Sequence, residues 1–162
     1  MDATTTATPG ETRRTLTTEA AISIIPNALV SALFVWLLFR GVQRIGLWGM
    51  EGVAFDLMPT TFMLTLMTTI GLTTIVRRRV GAGKAKHAAG NTRLPRNPVL
   101  RGIALGLIML LLLFVPASVM VLSVVWTGDW SFNAMLLFKI FYGIVVGLIA
   151  TPLVVLAALR DR

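Results

Sequence analysis

The sequence predicts an all-α membrane protein: four transmembrane helices in an antiparallel up-down bundle, with both termini cytoplasmic. Three observations predict it. The 162 residues are 56% hydrophobic and 14% charged, against about 25% charged in ordinary soluble chains, and mean hydropathy is +0.81. Four apolar runs, residues 20–39, 57–76, 99–125 and 140–159, each hold about 20 residues or more, enough to cross a ~30 Å hydrocarbon layer. Finally, the basic residues fall almost entirely on one side of that threading.

Taken in order, residues 1–19 are Thr-rich, lack periodicity and read as a mobile cytoplasmic tail. A first hairpin spans 20–76. Its leading run is too long for a signal-peptide core and ends in Phe39-Arg40-Gly41, with no small-residue cleavage site. Between the two runs, residues 41–55 mix Gly, Trp and a few charges, which suits a segment lying in the outer interface. Residues 77–98 form a basic cytoplasmic loop punctuated by Gly, Asn and Pro, with no core-forming pattern. A second hairpin occupies 99–162. Residues Pro26, Pro116 and Pro152 can kink their helices, whereas Pro59 falls in a first turn.

Orientation follows from Lys and Arg. Twelve of them, in the tail, the middle loop and the C-terminus, share one side, while Arg40 and Arg44 lie on the other. The positive-inside rule puts the crowded side in the cytoplasm. Residues Trp36, Trp48, Trp126 and Trp130 all fall near the opposite boundary, where amphipathic rings favour the headgroup layer.

Several chemistries are excluded. There is no cysteine and a single histidine, His87, so a Cys-ligated metal or a two-histidine haem site is impossible within the chain. No Glu-x-x-His or His-Glu-x-x-His spacing occurs. The seven carboxylates all fall outside the middles of the apolar runs. No catalytic residue, metal or cofactor is expected, and the chain does not read as an enzyme. Lys139 precedes the last apolar run and is expected to snorkel to the outer interface. The alternative is an ion pair with Asp56 or Glu51.

Polar and small residues supply what handles remain. The stretch TTFMLTLMTTIGLTT, residues 60–74, holds seven threonines. Thr65, Thr69 and Thr73 continue a four-residue spacing begun at Thr61, and Ser23, Asn27 and Ser31 recur at the same spacing on the first helix. Counted from the inner ends, the two stripes lie at matching depths, about 4.5, 10.5 and 16.5 Å. With consecutive helices as neighbours, this predicts a ladder pairing Ser23 with Thr73, Asn27 with Thr69 and Ser31 with Thr65. It would serve either as interhelical glue or as the lining of a path for a small polar solute. Gly102-x-x-x-Gly106 and Gly143-x-x-x-Gly147 each permit close helix approach, to helix 1, helix 2 or another subunit. In the basic loop, Arg77, Arg78, Arg79, Lys84 and Lys86 either fix topology or contact anionic lipid headgroups. Nucleic acid is not an expected partner, because no aromatic residue is interleaved with them.

Each half of the chain is an apolar hairpin with a Trp-containing outer turn, which suggests two parallel copies of a two-helix unit. The segment W130SFNAMLLFKIFYGIVVGLIATPLVVLAALR160 resembles the last helix of small bacterial inner-membrane proteins of uncharacterised activity built from such units. Trp130 leading the helix, Pro152 after a small residue and terminal Arg160 carry the likeness, over about one fifth of the chain. The resemblance implies a bacterial cytoplasmic membrane and supplies no site residues. The expected role is a non-catalytic accessory, assembly or structural subunit, its partners being the lipid bilayer, copies of itself or other membrane subunits met through the glycine faces. The alternative is an oligomeric small-solute permease or channel.

Overall fold

The computed structural model describes residues 8–42, 44–50, 52–125 and 127–161, with the backbone alone at 20, 21, 23, 113 and 114. The expectations for Glu51 and Trp126, and the side-chain rung at Ser23, therefore lie outside the described residues. Among the described residues the chain is all-helical, with four helices long and apolar enough to cross a membrane: α1 (Pro9–Phe39), α2 (Val53–Gly81), α3 (Pro98–Val125) and α4 (Phe132–Leu159).

Each helix begins where a local signal starts it. Thr8 and Glu11 close a reciprocal capping box, so α1 starts eleven residues before the apolar run. This corrects the expectation of a mobile tail over residues 9–19. Asn97 caps α3 through Val99 and Leu100, with Pro98 in the first turn, and Ser131 caps α4 through Ala134. Within α3 the helix widens to a π turn over Met109–Leu113. Pro116 lacks the N–H that the Leu112 carbonyl would accept, and its ring crowds that carbonyl; the wider turn relieves both.

Two ends are built differently. At the tryptophan end, the 40–52 and 126–131 connections join in one antiparallel bridge, Ile45 and Trp130 exchanging hydrogen bonds of 3.0 and 2.9 Å. Residues 41–55 do not simply lie across the interface: Ile45 and Leu47 turn inward and are buried. Gly52 fits against the Trp48 backbone, where a Cβ would come within 2.6 Å. At the basic end, the 82–97 connection folds back over the bundle, with the Ala88 N–H bonded to the Leu159 carbonyl at 2.9 Å. Ala88 joins a buried cluster with Leu72, Leu105, Val154 and Leu159, so the loop has an apolar anchor that its composition hid. Because the connections alternate between these ends, successive helices run antiparallel.

Lateral order departs from the expected pair of hairpins. The central helices are α2 and α4, which run parallel; α1 packs chiefly on α4, and α3 packs on α2. The consecutive pair α1 and α2 touches only sparingly. Both glycine pairs find their neighbours inside the chain. Gly102 and Gly106 receive Leu66 and Phe62 of α2, whereas Gly143 and Gly147 receive Ser31 and Asn27 of α1. Of the expected neighbours, helix 2 and helix 1 occupy the two glycine faces, and the alternative that these faces meet other subunits is corrected.

Candidate functional site: a polar seam through the bundle

Charge enters the bundle at α2 and α4. Because α4 begins at Phe132, Lys139 lies about 10 Å from its start by helical rise. A helical side chain leans toward its own N-terminus, which carries the ammonium toward the tryptophan end and onto the first turn of α2. There Lys139 Nζ donates to Thr60 Oγ1 at 2.6 Å and forms an ion pair with Asp56. Thr60 in turn donates to Asp56 Oδ1 at 3.3 Å. Lys139 is 0% exposed and Asp56 5%, so the snorkelling expectation is corrected and the ion-pair alternative describes the geometry. About one turn on from Lys139 along α4, the Tyr142 hydroxyl hydrogen-bonds Thr61, which donates to the Leu57 carbonyl at 2.6 Å. The Lys139 ammonium stands 5.8 Å from the centre of the Tyr142 ring.

The seam continues toward the basic end with uncharged groups. Asn27, Ser31, Thr65, Thr69 and Thr73 are all buried, as the stripe reading requires, but they do not form a ladder. Among the described residues a single rung joins α1 to α2: Thr68 Oγ1 donates to Asn27 Oδ1 at 2.9 Å, one residue from the expected Thr69. Ser31 instead faces Gly143, and the Asn27 amide faces Gly147. Thr69 turns back on the Thr65 carbonyl at 2.7 Å. Among the described residues, the hydroxyls of Ser31, Thr65 and Thr73 and the Asn27 Nδ2 have no hydrogen-bond partner. The Asn27–Thr69 and Ser31–Thr65 rungs fail because the groove that accepts Asn27 and Ser31 is on α4, not on α2.

A second charged cluster closes the basic end. Arg101, 0% exposed, donates to Asp161 Oδ1 at 2.5 Å and to the Pro95 carbonyl at 2.9 Å. Arg77 donates to Asp161 Oδ2 at 2.8 Å and also reaches the Arg96 carbonyl. Burial alone would raise the Asp161 carboxyl, but hydrogen bonds from Arg101 and Arg77, with their charges, outweigh it and hold it below its ordinary value. Glu19, expected in the tail, is buried within α1 and pairs with Arg79. Lys86 pairs with Glu11 at 3.0 Å. The Thr8 backbone N–H and then Lys86 hold the Glu11 carboxyl low. Of the five basic residues expected either to fix topology or to contact lipid headgroups, Arg77, Arg79 and Lys86 already meet the chain's own carboxylates, while Arg78 and Lys84 stay exposed.

Helical spacing already places these charged and polar groups on shared faces. Asp56 and Thr60 are four apart on α2, and Lys139 and Tyr142 three apart on α4, so each pair shares a helix face. Thr60 is out of step with the Thr61, Thr65, Thr69 and Thr73 spacing, yet it is the residue that joins the two charges. Among the described residues, no group of three or more His, Asp or Glu is placed to hold a metal ion. No protein-family profile matches the chain, and no curated protein and no solved structure is found to resemble it.

Proposed function

We propose that the chain is a non-catalytic, multi-pass membrane protein acting as an accessory, assembly or structural subunit of a larger membrane complex. The lateral order of the helices carries this reading. The apolar spans of α2 and α4 are each 50% buried within the chain, against 24% for α1 and 19% for α3. A seam of polar groups and two glycine faces lock the inner pair and its flanks together. The outer surfaces of α1 and α3, with Ile25, Leu29, Leu33, Leu112 and Val124 exposed, remain for lipid and neighbouring subunits. Purification in mild detergent with identification of what accompanies the protein tests this. Defined stoichiometric partners are expected; a lone homo-oligomer that moves solute in liposomes would overturn it.

The basic end belongs in the cytoplasm of a bacterial inner membrane, on the charge asymmetry and the resemblance given above. Since the chain has no cysteine, Lys84→Cys gives a single label site. It should react with an impermeant maleimide in inverted vesicles and not in intact cells.

One observation favours a second reading, an oligomeric permease for a small polar solute. An ionisable pair sealed inside membrane-spanning helices is a functional feature by default. Here it heads a line of buried hydroxyls, two of them on Thr65 and Thr73 without partners among the described residues. The seam runs along α2 and α4, so those helices, not α1 and α2, would supply the lining. Solute flux through reconstituted protein that is lost in Asp56→Asn, with assembly intact, is the result this reading requires.

A further inference from the structure

We infer that the crevice between α1 and α2 holds one anionic phospholipid, its phosphate at the basic end and an acyl chain alongside the helices. Two clefts that share a residue carry the inference. The first, about 450 Å³, lies between the early turns of α1 and the chain following α2; Arg14, Thr18, Arg79, Lys84 and Lys86 line it. The second, about 270 Å³, continues between the membrane-spanning parts of the same helices and is walled by Ile22, Val30, Leu64, Met67 and Ile75. Arg79 lines both. Polar cleft and apolar groove are consecutive along one seam, the order in which a lipid presents its headgroup and its chain.

Height agrees with this assignment. The apolar runs begin at Ala20 on α1 and end at Val76 on α2, so Thr18 and Arg79 stand about 3–5 Å beyond the hydrocarbon boundary and Arg14 about 9 Å. The headgroup layer occupies roughly the first 5–8 Å outside that boundary. The groove walls lie below it, at acyl-chain depth.

Charge selects the class of headgroup. Four cations line the upper cleft with one carboxylate, Glu11, and Glu19 stands in the groove below. Arg79 spends part of its guanidinium on Glu19, and Lys86 pairs with Glu11. Among the described residues, Arg14 and Lys84 make no ion pair. An arginine has five N–H donors, which leaves Arg79 donors to spare for a phosphate. A zwitterionic headgroup would bring its own cation into this surplus; an anionic one would not. The bundle leaves the space because α1 and α2 lean on α4 more than on each other. Gly71 lines the groove with nothing within 4 Å of where a Cβ would stand. A helix-weakening glycine there keeps the groove open.

The test is native mass spectrometry of the whole chain in detergent, titrated with phosphatidylglycerol, phosphatidylcholine and, separately, inorganic phosphate. One phosphatidylglycerol should remain bound in preference to phosphatidylcholine. The double variant Arg14→Gln/Lys84→Gln should weaken it about thirtyfold, roughly fivefold per lost cation. Gly71→Leu should displace it by filling the groove with its own side chain, while Arg93→Gln/Arg96→Gln, elsewhere in the basic loop, should change it little. Equal retention of both lipids would overturn the proposal, as would indifference to Gly71→Leu. Phosphate binding that matches phosphatidylglycerol would also overturn it, by reducing the site to a free-anion cleft. Because the readout is lipid retention by this chain alone, it stands or falls independently of whether partner subunits are found.

Discussion

At the scale of single residues, the most demanding feature is the ammonium of Lys139. A charge at the centre of a spanning helix costs about 2.5–3.5 kcal/mol on insertion scales; Lys139, a quarter of the way along α4, reduces its share of such a cost by facing the bundle interior against Asp56 and Thr60. Such a pair is weak evidence of net stability, but breaking it from one side is expensive, because the remaining charge stays buried. Lys139→Met should therefore destabilise the fold by about 3–5 kcal/mol, and Lys139→Met with Asp56→Leu should recover most of that loss. Unfolding midpoints in mixed micelles with increasing denaturing detergent measure both. A double variant as weak as the single one would show that the two side chains are not coupled. Both partners were legible in the sequence as outer-side charges. Their burial was not, because α4 extends eight residues before the apolar run that marked it, turning a boundary lysine into an interior one.

At the scale of helices, contact is decided by small residues and not by hydrophobicity. Lipid tails are as apolar as leucine, so apolar surface does not choose between neighbours in a bilayer; close approach and polar fit do. The sequence shows clearly which stretches are helical and which faces carry Asn27, Ser31 and the threonines, and depth counting placed Asn27 within one residue of its actual α2 partner, Thr68. What depth alone could not reveal is that Gly143 and Gly147 offer a closer groove than any threonine face, which draws α1 onto α4. The glycines can be tested directly. A Cβ on Gly143 would meet Ser31 and stand 2.8 Å from the Asn27 carbonyl, and one on Gly147 would meet the Asn27 amide. Gly143→Ala and Gly147→Ala should each cost about 1–3 kcal/mol through overpacking. Gly71→Ala, with open space around it, should be neutral or stabilising by about 0.5–1 kcal/mol. Equal effects at all three positions, by the same unfolding assay, would mean that α1 does not seat on the α4 glycines.

At the scale of the whole molecule, helices of 28–31 residues are about 42–47 Å long. They exceed the hydrocarbon layer, so their basic ends meet in the headgroup zone and beyond. The crowding of basic residues at that end was legible from composition; that the chain's own acids organise it was not, since Glu19 and Asp161 look like tail residues until the helices bring them beside Arg79, Arg77 and Arg101. Asp161 is the keystone: it holds a fully buried arginine and, next to it in sequence, Arg160 reaches the Ala89 carbonyl at 3.1 Å. This latch has a defined pH signature. The Asp161 carboxyl titrates below its ordinary value in the folded state, so its contribution is fully present above the unfolded value and is lost as pH falls through the folded one. Hydrogen exchange at the Ala88 amide, which closes the same corner on Leu159, reads it out. Once corrected for intrinsic rates, protection should stay level from about pH 8 to 5 and fall only below the ordinary carboxylate range. Asp161→Asn should show low protection at every pH, because Arg101 then keeps its charge without a counter-ion. Protection in Asp161→Asn equal to that of the parent chain across this range would overturn the latch, since the corner would then be held by the Ala88–Leu159 backbone bond without help from the acid.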